Sequence, residues 1–278
     1  MERQLSLSAK LLLLGAGGLA FLAGPILFLF PTQTQTYFAW TIKHPLTPIF
    51  MGANYLGGLG ALWTLRINRW SVARVQMPGI FVFAVTQLLA TLLHIPIFNW
   101  SHPVAWAWLF VYVTSPVAAL LVYRAMEKGY TPLSSGSSFP GSAVFQVFAV
   151  VSALIGIGLI LWPFIYTPAE GGSTVPWWAW TLTPLTAHVA GGWYLAAATL
   201  HYTLSRQHAI DITGPSLLVL TLVTGAQLLG ALIWMEAFSG SPVFIAIYLL
   251  NSSAVFGYSL YMLVRNRSSF TVVLPRSS

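Results

Sequence analysis

Phe38-Ala39-Trp40-Thr41-Ile42-Lys43-His44-Pro45-Leu46-Thr47 returns 139–140 positions later as Trp178-Ala179-Trp180-Thr181-Leu182-Thr183-Pro184-Leu185-Thr186, one residue shorter. The match runs on, with Gly52, Tyr55 and Leu56 meeting Gly191, Tyr194 and Leu195. Each copy leads from an aromatic-Ala-Trp-Thr turn, through a proline, into an apolar stretch. Further pairs extend the register. Thr86-Gln87-Leu88-Leu89-Ala90 corresponds to Ala226-Gln227-Leu228-Leu229-Gly230 and Pro103-Val104 to Pro242-Val243, while Phe28-Leu29-Phe30-Pro31 resembles Ile160-Leu161-Trp162-Pro163 outside that register. A fixed period of this kind is the signature of a duplicated structural unit.

The solvent of that unit is lipid. Hydrophobic residues make up 57% of the chain and charged residues 6%, and the mean hydropathy is +0.77. A soluble domain carries roughly 25% charged residues. Eight apolar spans of about 20 residues can be drawn, near 11–30, 46–65, 77–97, 104–123, 142–165, 184–204, 216–235 and 242–263. The expected fold is an all-α polytopic membrane protein of eight transmembrane helices. It consists of two parallel four-helix repeats, 1–124 and 142–265, related by a pseudo-twofold axis along the membrane normal. A Gly/Ser-rich cytoplasmic linker, 125–141, joins them, and 266–278 is a cytoplasmic tail. The first span has a counterpart in the second repeat and no evident cleavage site, so it is expected to be retained.

Eleven of the twelve Lys and Arg residues fall on one side of these spans, and only Lys43 falls on the other. The positive-inside rule then places both termini in the cytoplasm. The net charge of +7 is spread over alternate loops rather than one patch, so nucleic acid is not an expected partner. The bilayer is, and other membrane subunits are candidates. Cysteine is absent, which excludes disulfides, thiolate metal sites and cysteine nucleophiles.

Few side chains could carry chemistry. None of the five acids, Glu2, Glu127, Glu170, Asp211 and Glu236, is predicted near the membrane midplane, which argues against ion-coupled transport and paired-carboxylate catalysis. His94 and His188 lie at similar depth near the outer side, one from each repeat, opposite Trp234 and Ile49 in the register. They could ligate a haem iron, hold a chlorophyll-type pigment through its magnesium, or simply hydrogen-bond. His188 and His201 lie thirteen residues apart on one predicted helix, about 220° around it, so they do not form a di-haem pair. Gln87 and Gln227 recur in both units near mid-membrane, where they serve either as helix–helix glue or as the walls of a polar cavity. Asn54 and Asn251-Ser252-Ser253 add unduplicated polar groups.

Nine of the twelve tryptophans, with Trp40 and Trp180 at their centre, fall at or near the outer side, whereas an ordinary aromatic belt occupies both interfaces. Asn99-Trp100-Ser101 fits a glycosylation acceptor; no phosphate loop, zinc-protease helix or nucleophile elbow is present. Three functions stay open. The first is a non-catalytic binding or accessory subunit that uses the aromatic outer face for a hydrophobic ligand, pigment or partner, with Trp40 and Trp180 anchored at headgroup level. The second is a facilitative carrier of a small neutral solute with Gln87, Gln227 and Asn54 lining a cavity. The third is a haem or chlorophyll protein using His94 and His188.

Overall fold

The structure, a computed structural model, describes residues 2–131, 141–166 and 173–271. It is all-helical, with no strand among the described residues. In order come α1 (Leu7–Leu29), α2 (Thr34–Tyr37), α3 (Leu46–Tyr55), α4 (Gly58–Ile67), α5 (Trp70–Leu93), α6 (Pro103–Glu127), α7 (Ser142–Ile165), α8 (Pro184–Ser205), α9 (Gly214–Ile233), α10 (Pro242–Arg265) and α11 (Arg267–Thr271). Single 3-10 turns follow α5 at Ile95–Ile97 and α9 at Met235–Ala237.

Six helices, α1, α5, α6, α7, α9 and α10, are long and apolar enough to cross a membrane. The two remaining stretches expected to span behave differently, each for a physical reason. Positions 46–65 form two ten-residue helices, because the chain tightens at Gly57, whose amide donates to the Asn54 carbonyl only three residues back. Helix α8 has 22 residues but owes much of its length to Ala, Gly, Thr and His. It needs less hydrophobicity than its neighbours because α5 and α7 cover it, leaving it the most extensively buried of the long helices.

The helices pair in a regular way. Helix α1 packs on α3 and α4, and α7 packs on α8; α5 packs on α6, and α9 on α10. Across the middle, α5 lies on α8 while α9 lies on α3 and α4. Glycines set the first two contacts. A Cβ on Gly52 would sit 2.7 Å from the Gly24 carbonyl oxygen, and one on Gly191 would sit 2.9 Å from that of Gly156. Backbone approach this close is how apolar helices associate where no hydrophobic driving force exists between them.

Thr183 starts α8 with a reciprocal capping box to Thr186, and Pro184 takes the first turn, where no amide donor is needed. Helices α6 and α10 likewise begin at prolines, Pro103 and Pro242. At the opposite, basic end, Arg69 pairs with Glu2 at 3.1 Å and Asp211 at 3.6 Å, and Arg74 with Glu127 at 3.0 Å. These pairs are part-exposed and contribute little each, but the Arg69–Asp211 pair ties the 69 loop to the 211 loop. Helix α6 continues through Glu127, so the linker begins later than 125. Positions 132–140, Glu170 and Arg276 lie outside the described residues.

Candidate functional site

Trp40 and Trp180 are core residues, only 2% and 1% exposed. The segments bearing them fold back over the end of the bundle and are pinned the same way twice. Thr34 Oγ1 donates to the Ile42 carbonyl and accepts from the Ile42 amide at 2.9 Å. In the later copy Ser173 Oγ accepts from the Leu182 amide at 3.1 Å, and the Leu182 carbonyl accepts from Thr174. The Ala39 carbonyl accepts from Asn99, and the Ala179 carbonyl from Gly240. Trp40 meets Trp108 at 5.0 Å and 87°; Trp180 meets Tyr248 at 5.1 Å and 88°. Trp180 also donates through Nε1 to Thr47 Oγ1 at 2.9 Å, joining the second motif to the helix that follows the first. Neither ring is available at headgroup level. Once these backbone segments are satisfied by one another, they can tuck inward and carry their rings with them. The aromatic surface at this end is smaller, with Trp106, 58% exposed, its most open tryptophan.

His94 and His188 do meet. The His94 Nε2 atom lies 2.8 Å from His188 Nδ1, and His188 Nε2 lies 3.0 Å from the Ile160 carbonyl oxygen. A carbonyl only accepts, so the hydrogen on His188 sits at Nε2, its Nδ1 accepts, and His94 donates. Both nitrogens of His188 are thereby occupied. The 2.8 Å gap is a hydrogen bond, shorter than the roughly 4 Å needed to place a metal in line between two nitrogens at about 2.0 Å each. Among the described residues no group of three or more potential metal ligands is close enough to hold an ion.

The two glutamines have different surroundings. Gln87 is fully buried between α5 and α8, donating through Nε2 to the Val189 carbonyl at 3.1 Å, with Oε1 unpartnered. It lies against Gly192, where a Cβ would come within 2.6 Å of its Nε2. Gln227 accepts from Ser252 Oγ at 3.3 Å and faces a cavity. Asn54, whose Nδ2 donates to the Phe50 carbonyl at 2.7 Å, borders the same cavity. Of the three expected cavity residues, therefore, Asn54 and Gln227 come together and Gln87 stands apart.

The cavity is walled by α3, α7, α8, α9 and α10, with about 50 Å³ open to the centre of a water-sized sphere. That is room for roughly three or four waters. Besides Asn54 and Gln227, its polar lining includes Ser152, Trp193, His201 and Asn251, and no charged side chain lines it. His201, 2% exposed, has Nδ1 3.3 Å from Ser152 Oγ and no partner at Nε2; the Trp193 indole nitrogen is buried and unpartnered too. Below His201 the rings of Phe145 and Phe148 reach Tyr258 at 5.5 and 6.1 Å, closing α7 onto α10 toward the basic end. Higher up Trp193, Ala197 and Asn251 are part-exposed, so the cavity opens at its side.

The corresponding place in the first half is full. Phe83 packs on Trp193 at 3.9 Å and on Tyr112 at 5.6 Å; Tyr55 packs on Trp193 at 5.1 Å. The Tyr55 and Tyr112 hydroxyls close it with a 2.9 Å hydrogen bond. At an offset of 139 Tyr55 matches Tyr194 and Trp193 matches Asn54; at 140, one residue on from the offset that pairs Pro103 with Pro242, Phe83 matches Val223 and Tyr112 matches Ser252. Burial supports this register: Trp108, Tyr112, Ala119 and Val122 are interior on α6, as are Tyr248, Ser252, Ser259 and Met262 on α10. Three rings on one side are three smaller side chains on the other. The sequence signal for the cavity lies in these unequal pairs, not in the equal ones that mark the repeat. Comparison with protein-family models, with curated proteins and with solved structures gives no match.

Proposed function

We propose that the chain is an integral membrane protein of eight spans. It is built from two parallel four-helix units about a pseudo-twofold axis, with both termini cytoplasmic, and it binds a hydrophobic ligand without chemical conversion in the cavity beside Asn54 and Gln227. The reciprocal packing of α5 on α8 and of α9 on α3–α4 supports the two-unit architecture. The working site moves from the aromatic outer face to the interior, because Trp40 and Trp180 are used up in packing.

The observation that carries this proposal is the unequal filling of matched places. An empty cavity of this size costs about 1 kcal/mol, and each unpartnered buried polar atom about 1–3 kcal/mol more. The first unit avoids the cavity by placing rings there. The second retains it and lines it with hydrogen-bonding groups, an arrangement stabilised when something occupies it. The test is native mass spectrometry of the protein extracted in mild detergent. A co-purifying molecule is expected in the natural protein and not in the double variant Val223→Phe/Ser252→Tyr, which introduces the first unit's side chains. Retention of the same molecule by the closed variant would overturn the assignment.

One observation favours a carrier as the second reading: Asn54 from the first unit and Gln227 from the second border one cavity. Uptake of a small neutral solute into proteoliposomes that disappears in the Gln227→Leu variant would establish it over static binding.

A further inference from the structure

The cavity's chemistry narrows what it holds, on the premise of the preceding section that it is a ligand site. We infer that it takes an uncharged, oxygen-bearing head, a hydroxyl or a carbonyl, of a molecule whose apolar tail lies in the bilayer between α7 and α10.

Charge is excluded first. The polar part of the lining consists of amides, hydroxyls, an indole and an imidazole, set among apolar Phe50, Ala197, Leu220, Val223 and Val255, and no charged side chain belongs to it. An ionised phosphate, carboxylate or ammonium would lose its water and gain no counter-ion, which costs several kcal/mol. A head with a polar atom is favoured over a wholly apolar occupant, because it can partner one of two buried, unpartnered groups on α8, His201 Nε2 or the Trp193 indole N–H. These two atoms belong to one helix, eight residues apart, so they stand about 12 Å apart along α8. A single head therefore reaches one of them, in a cavity that the amides of Asn54, Gln227 and Asn251 also line. A carbonyl suits the donor on Trp193. A hydroxyl, which both donates and accepts, suits His201 whichever nitrogen carries its hydrogen.

Size and setting supply the tail. Room for three or four waters fits a head of a few atoms and not a whole lipid. Ile247, one turn from Asn251 on the same side of α10, is apolar and exposed, and Val150 and Leu154 make the outward face of α7 apolar as well. At this depth such faces meet acyl chains, so a molecule seated by its head would leave its tail along them.

The test uses the full-length protein in lipid nanodiscs and four probes that share one mid-chain diazirine: hexadecanol, 2-heptadecanone, hexadecyl sulfate and hexadecyltrimethylammonium. After photolysis, labelled peptides from α7 to α10 are quantified by mass spectrometry. The alcohol or the ketone is expected to label residues around Asn251 and Ser152 at least ~10-fold more than either charged probe, the scale of one lost polar contact. Stronger labelling by the alcohol identifies a hydroxyl head, and stronger labelling by the ketone a carbonyl head; both support the inference. The Val223→Phe/Ser252→Tyr variant, checked for an unchanged thermal unfolding midpoint, is expected to abolish the labelling. Should a charged probe label equally well and the closed variant remove that labelling, the neutral head is wrong while the cavity stands as a binding site. Should no probe label the cavity, or closure change nothing, the binding site itself falls.

Discussion

Two regions of this protein share a path and differ in filling. Around Tyr55, the first half closes on itself with Phe83, Tyr112 and the borrowed ring of Trp193. Around Tyr194, the matching positions carry Val223, Ser252 and Asn54, and a cavity remains. Where the copies agree, as in the pinned aromatic-Ala-Trp-Thr segments, the residues maintain the fold. Where they disagree, the shared path alone does not dictate the choice of side chain.

The comparison can be broken most forcefully at the shared motif. Trp40→Ala and Trp180→Ala each remove a fully packed ring and should cost about 3–5 kcal/mol, read as a lowered thermal unfolding midpoint in detergent. Trp180→Ala should be the worse, since it also strands Thr47 Oγ1. Negligible losses would mean that the motif is not the core of each unit.

Opening the filled half comes next. Phe83→Val with Tyr112→Ser should cost about 2–5 kcal/mol by cavity formation, whereas the reciprocal Val223→Phe with Ser252→Tyr should leave the unfolding midpoint in place or raise it. Opposite signs sharpen the contrast. A large loss in both would show that the two places are not interchangeable.

The glutamines should separate by function. Gln87→Leu removes one interhelical hydrogen bond, an effect of about 1 kcal/mol or less on the midpoint. Gln227→Leu should alter stability no more, yet reduce the amount of co-purifying molecule several-fold.

The smallest effect belongs to His44, the residue for which the shorter second copy has no counterpart. Burial lowers its pKa from the ordinary 6.5, opposed by a hydrogen bond to the backbone of Ala237. The folded protein therefore resists protonating it, and the unfolded chain binds the proton first. Stability should be level above pH 6.5 and should decline as pH falls below it, by the linkage between proton binding and folding. His44→Asn should flatten the decline in a series of unfolding curves.

The period near 140 residues was legible because local structure repeats with it. The 3-10 turns at Ile95–Ile97 and Met235–Ala237 and the proline starts of α6 and α10 sit where the paired residues put them. Helix α7 occupies the very span expected for it. Depth inside the bundle was not legible. In lipid both the buried and the exposed faces of a helix are apolar, so composition does not reveal which face turns inward. Trp40 and Trp180 thus read as interface anchors although they are core. Helix α8 read as an ordinary span although it is covered by α5 and α7. The matched depth of His94 and His188 was legible, but that they meet, and through a hydrogen bond, depended on how α5 lies on α8. The cavity needed two facts together, the register and the packing, to show that Val223 and Ser252 stand where rings stood before.

The most direct test is an experimental density map of the protein, extracted in mild detergent without exchange of bound molecules. The expected map has non-protein density between α7 and α10, touching Asn54 and Gln227, and none beside Tyr112 and Phe83. Density in neither place, or a collapsed second half with Val223 and Ser252 packed as tightly as the first-half rings, would contradict the asymmetry on which the assignment rests.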